Sequence, residues 1–389
     1  MRNPLATTGR ALGRLKNDFV GLPTSRKVLL AGGTVVVVVA FGFGGAALLS
    51  NDSTTPATTV PLAVTTTTTT TTPATTSTTS TTTTTTTIAA LSSPLNGLPA
   101  EDPALLERRA MAIKIDNHAN ARPQSGLSDA DLVYELLVEG GLSRFIAIFH
   151  DNDSTYVGPI RSGRPTDPTL IRPTGAVMVY SGAQPWVQSI IVSAGVHLIG
   201  EGEGTFRIDS RSAPHNLYGD TLALRTVADS RDYADEAPPT FFEIGDYAGG
   251  EPAAQISTTW DSANRVLWIW NGETYSRFTN ELPHNEIDVV GVQTQVTTDF
   301  IVVLTATRYT ARPPGDGTAV PALETTGSGD AFVFADGMVV EGEWSRGAIA
   351  DPFTLTDAAG NPLMVPTGRP WVAVFPNTQP LTWLAEPAS

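Results

Sequence analysis

Apolar residues fall along this chain in short runs that end abruptly in polar clusters. Residues 110–115 form one such run and close in Asp116-Asn117-His118; residues 145–149 close in His150-Asp151-Asn152, and residues 176–180 in Ser181-Gly182. Continuous apolar runs of this length, bounded by turn-forming residues, predict buried strands. Helical spacing predicts helices over 185–193 and 221–231. A further helix is expected after Ser128, with Asp131 in its first turn as in a capping box. Its buried stripe would be Leu132, Val133, Leu136 and Leu137, and Gly140-Gly141 would stop it. Beyond Pro238-Pro239 the pattern changes to short strands and tight turns. Asn271-Gly272 between 265–270 and 273–278 predicts a hairpin on a type I′ turn, and Asp336-Gly337 predicts a second within 331–344. Residues 301–307, 353–356 and 371–375 add strands.

The amino-terminal quarter has a different character. Residues 28–49 carry no charge and are long enough to cross a bilayer core of about 30 Å. They predict one transmembrane helix, with a cleaved signal peptide as the alternative. Residues 1–27 are basic, so this end is expected in the cytoplasm and the rest outside it, making the chain a single-pass cell-membrane protein. Residues 50–90 are dominated by threonine, with too little apolar surface to offset the entropy of ordering, and predict a disordered, Thr-rich stalk. As a bare coil it would reach on the order of 35 Å.

The expected fold class is α+β: an α/β-like first domain at 91–240 with a mixed sheet and helices, and a mostly β second domain at 250–380. The seam is placed between Ala237 and Gly250.

The chain has 389 residues and no cysteine, which excludes disulfides, thiolate metal sites, a cysteine nucleophile and an amino-terminal lipidated cysteine. Residues 88–389 hold 18 Lys and Arg against 37 Asp and Glu, a net charge of −19. Nucleic acid is therefore not an expected partner. The expected partners are the membrane, through the one helix, and a cell-wall glycan or envelope protein.

Three loops carry candidate chemistry. Asp116, Asn117 and His118 end an expected strand, where open sheets place ligand sites. Arg122 and Gln124 follow closely. Arg161 and Arg164 sit in a Gly/Pro turn suited to bidentate capture of an anion; pairing with neighbouring acids is the alternative. Asp209, Arg211, His215 and Asn216 lie in the densest polar segment, which is read either as a ligand site or as a loop clasped by its own amides. Trp268 and Trp270 share a strand face, as a sugar platform or as core. The spacing of Glu135 and Glu139 places both carboxylates on one face of the expected helix. No helical His-x-x-x-His pair exists, so no metal and no cofactor are assigned. No catalytic residue is assigned either. The expected function is binding of an anionic or glycan/peptide envelope fragment in a polar Arg/Asn/His pocket of the first domain. The alternative is a hydrolase of glycan or amide bonds using Asp116, His118 and His215 as acid-base groups.

The segments 112–118, 121–127, 131–135, 138–141, 158–162 and 211–218 resemble the YerB family of bacterial envelope proteins, and 342–344 and 368–376 resemble that family's second domain. The likeness spans roughly 95–376. It implies an exported, membrane-tethered, two-domain α+β protein without established activity. Members of that family are often lipoproteins; without a cysteine, this chain would be anchored by the helix at 28–49.

Overall fold

A computed structural model describes residues 91–247 and 249–387. The basic segment, the expected transmembrane helix at 28–49 and the expected stalk at 50–90 lie outside the described residues. Among the described residues, no helix is long and apolar enough to cross a membrane.

The polypeptide is a mixed α+β fold, mostly β, with few helices. Its first half supplies β1 (Met111–Ile115), β2 (Leu132–Leu137), β3 (Ser143–Phe149), α1 (Asp167–Ile171), β4 (Val177–Val179), α2 (Pro185–Ser193), β5 (Leu198–Ile199), β6 (Thr205–Arg207), β7 (Leu217–Gly219) and α3 (Thr221–Ser230). Pro185 opens α2, where its missing N–H costs nothing, and the Asp220 carboxylate caps α3 by accepting from the Leu222 and Ala223 amides.

One 11-stranded sheet runs through both halves. Its order is Thr354–Asp357, Met338–Arg346, Gly327–Ala335, Phe300–Ala306, Pro370–Pro376, β2, β3, β1, β4, β5, with Glu251–Pro252 pairing beside Met338–Arg346. The halves join where β2 runs parallel to Pro370–Pro376, from Val133 opposite Trp371 to Leu136 opposite Val374. β3 is antiparallel to β1 and β2, while β4 is parallel to β1. A smaller sheet, built on Gln255–Asp261, Asn264–Trp270, Tyr275–Thr279 and Leu381–Leu384, packs on the large one through aromatic rings. Trp260 meets Phe375 at 5.0 Å and Trp268 meets Trp371 at 5.1 Å. This is the core reading of Trp268, which is 1% exposed; Trp270 tilts against Tyr275.

Three expectations are corrected. Residues 132–137 form strand β2, not a helix: the segment is buried on both faces, so its apolar residues follow no period of two and mimic a helical stripe. Asp131 accordingly caps no helix; its carboxylate accepts from the amides of His150 and Asn152 and from the side chains of Asn96 and Asn152. Glu135 and Glu139 share no helix face, since one lies within β2 and the other in the turn between β2 and β3. The Asn271 hairpin forms, but over a four-residue turn: Trp270 pairs with Tyr275, and the Asn271 side chain accepts from the amides of Glu273 and Thr274. The Asp336-Gly337 turn does place both residues at positive φ, 52° and 72°, as a two-residue hairpin requires.

Candidate functional site

β1 ends at Ile115, and the next residue turns its carboxylate into a cluster that four segments build together. Asp116 is 2% exposed. Its Oδ2 accepts from Arg161 Nε at 3.0 Å and lies 2.7 Å from His215 Nδ1, while its Oδ1 accepts from the His118 amide at 3.2 Å. Arg144, near the start of β3, sits 4.0 Å from Oδ1. The imidazoles of His118 and His215 stack with centroids 5.0 Å apart and planes 15° from parallel. Burial alone would raise the Asp116 pKa; Arg144, Arg161 and the His215 hydrogen bond outweigh it and hold the carboxyl below its ordinary range.

The arginines of the 158–165 turn diverge. Arg161 uses only Nε on Asp116, and among the described residues its Nη atoms have no protein partner. Arg164 turns toward Glu139, donating to Oε2 at 2.7 Å, and to the carbonyls of Ser162 and Gly163. Arg144 also donates to the Ser162 carbonyl. Burial and the neighbouring Arg164 lower the Arg144 pKa to about 10. Deeper still, Lys114 and Asp167 form a wholly buried ion pair at 2.7 Å, and burial lowers the lysine to about 8. Four cations thus face three carboxylates, a local excess of positive charge within an acidic body.

Asn117, Arg122 and Gln124 form a second network behind the first. Asn117 Oδ1 accepts from Arg122 Nε and Gln124 Nε2, and Gln124 Oε1 lies 2.9 Å from His284 Nε2, so this network ties the site to the second half of the chain. Burial, then the charge of Arg277, lowers the Arg122 pKa to about 10. On the 208–216 loop, Arg211 Nη2 donates to the Pro123 carbonyl at 2.5 Å, and its Nη1 is a buried donor without a hydrogen-bond partner among the described residues. Asn216 accepts from Arg207 at the end of β6 and donates to the Ile208 carbonyl, and Asp209 is exposed. The structure therefore brings Asp116, His118, Arg161 and His215 into direct contact. It places Asn117, Arg122 and Gln124 beneath them, and leaves Arg164, Asp209 and Asn216 engaged or exposed elsewhere.

A hollow of 250 Å³ opens beside Arg122 and Pro123, next to Thr279, Leu282, Pro283 and His284. Larger hollows, of 670 Å³ by Phe241 and Phe353 and of 410 Å³ by Arg172 and His197, contain none of the candidate residues. Sequence reasoning missed Lys114, Arg144 and Asp167. Lys114 and Arg144 did carry a signal, because a lone charge within an apolar strand requires a buried partner. Glu135 is a third such charge. Its carboxylate accepts from Arg277 at 2.8 Å, Ser143 Oγ at 2.6 Å and Trp371 Nε1 at 2.9 Å, which leaves it structural rather than open to a ligand.

Residues 95–234 match the family described as "Protein of unknown function (DUF3048) N-terminal domain", and residues 256–372 match its C-terminal domain. Among curated proteins, the chain is 28% identical over 300 residues to "Putative lipoprotein YerB" of Bacillus subtilis (strain 168), covering 74% of this chain and 87% of that one. The crystal structure of Bacillus subtilis YerB aligns with a TM-score of 0.65 at 25% identity, covering 75% of this chain and 99% of that chain.

Proposed function

The chain belongs to the DUF3048 family of proteins of unknown function, and from that premise we propose that it is a membrane-anchored, extracytoplasmic protein that binds an anionic glycan or peptide fragment of the cell envelope at the Asp116 cluster. The anchor is the apolar segment at 28–49, and the lipoprotein name of the YerB relative accords with a place at a membrane. The observation that carries the reading is Arg161. Its Nε is fixed on Asp116 while its Nη edge remains available, in a cluster with more cations than carboxylates. A guanidinium oriented through one nitrogen binds an anion with little further ordering cost.

The test is binding of the full chain, in detergent, to purified cell-wall fragments. Arg161→Ala should weaken binding about tenfold or more, as loss of a charge-assisted hydrogen bond implies, and rising salt should weaken it further. Unchanged affinity in Arg161→Ala overturns the reading.

One observation favours a second reading, hydrolysis. Asp116 holds His215 by Nδ1 at 2.7 Å, the arrangement that orients an imidazole as a base. New fragment masses that appear with the wild type and vanish with His215→Ala or Asp116→Asn would place hydrolysis first.

A further inference from the structure

The hydrogen bonds around the two stacked imidazoles assign their protons. Asp116, held ionised by Arg144 and Arg161, accepts and cannot donate, so the His215 nitrogen 2.7 Å away must carry hydrogen: neutral His215 is the Nδ1–H tautomer, with a lone pair on Nε2. His118 has the opposite constraint. Its Nδ1 accepts the Asn120 amide at 3.1 Å, so neutral His118 carries its proton on Nε2. Among the described residues neither Nε2 has a protein partner. Two near-parallel rings therefore offer one hydrogen-bond acceptor and one donor, and His215 shares Asp116 Oδ2 with Arg161 Nε.

We propose that this pair of complementary tautomers selects a ligand that carries a hydroxyl next to its anionic group. The hydroxyl would donate to His215 Nε2 and accept from His118 Nε2–H, while the anion meets Arg161. A hydroxyl is the group that both gives and takes a hydrogen bond at one atom, which suits a polyol or sugar bearing a phosphate or carboxylate. The inference rests on the anion-binding reading and specifies its ligand class.

Two measurements on the full chain test it. Nitrogen-15 spectra of the imidazoles, tractable because the chain has five histidines, should show the proton of neutral His215 on Nδ1 and that of neutral His118 on Nε2; the reverse at either ring overturns the proposal. Calorimetric titration then compares glycerol 1-phosphate with methyl phosphate, and glycerate with propionate. At least one hydroxyl-bearing probe should bind about tenfold more tightly than its partner. His118→Asn, which keeps an acceptor for the Asn120 amide, and His215→Phe, which keeps a stacked ring, should each reduce the preference toward one. Equal affinity within both pairs overturns the proposal while the anion reading stands. If none of the four probes binds, both fall together.

Discussion

Glu135→Ala is the perturbation with the largest consequence that the structure predicts. The side chain is 1% exposed on β2, and it neutralises Arg277, which is 0% exposed and comes from the other half of the chain. Removing the carboxylate strands three donors at once: Arg277 Nη2, Ser143 Oγ and Trp371 Nε1. Arg277 keeps its ring contacts, 4.6 Å to Trp371, 5.0 Å to Trp268 and 5.3 Å to Phe145. These contacts are present before and after the substitution and offset none of the cost of breaking a buried ion pair. The expected loss is therefore about 3–5 kcal/mol. Glu135→Gln, which keeps an acceptor of the same shape, should cost less, and Glu135→Leu with Arg277→Met should recover much of the loss because no unpaired charge remains. Equilibrium urea unfolding followed by tryptophan fluorescence reads all three, since Trp268 and Trp371 flank the guanidinium. A loss below about 1 kcal/mol for Glu135→Ala would refute the reasoning.

Other outcomes follow from the same contacts. The Asp116 carboxyl has a folded-state pKa below its unfolded value of about 3.9. Its stabilisation is thus fully present above about pH 4 and is lost as pH falls through the folded value. In acid titrations of stability, Asp116→Asn should flatten the limb below pH 4; an unchanged limb contradicts the depressed pKa. Lys114→Met should destabilise by about 3 kcal/mol by leaving Asp167 buried without its cation, as read by urea midpoint, whereas a surface pair would give under 1 kcal/mol. Gly337→Ala places a Cβ 2.8 Å from Trp270 Cδ1 at a φ of 72°, so a lowered melting temperature is expected, and an unaltered one would show that the turn relaxes freely.

The sequence made β1, β3 and β4 readable but not β2, although β1, β2 and β3 are all interior strands of one sheet. Strands β1, β3 and β4 were recognisable because each apolar run stops at a polar cluster; of these ends only that of β1 builds the Asp116 site, which β3, antiparallel to β1, reaches through Arg144 near its start. β2 was misread because a strand buried on both faces has lost the alternation that distinguishes it from a helix. Asp131 strengthened the error, since an acid three residues after Ser128 looks like a cap. In fact it fastens the end of β3 by accepting the His150 amide. The pairings of Arg144, Glu135 and Lys114 were not legible, because each charge sits inside an apolar run and its partner is fixed by sheet topology. Glu135 and Arg277 are 142 residues apart, and only the junction of the two halves brings them together.

An anionic ligand received at the available edge of Arg161, which shares Asp116 Oδ2 with His215, would perturb that guanidinium first. Side-chain nitrogen-15 spectra of the arginines, recorded while glycerol 1-phosphate is added to the full chain, test this binding most directly. The Arg161 resonances should move in a saturable way while those of the fully buried Arg277 stay fixed. Saturation at another arginine with Arg161 unmoved would contradict it.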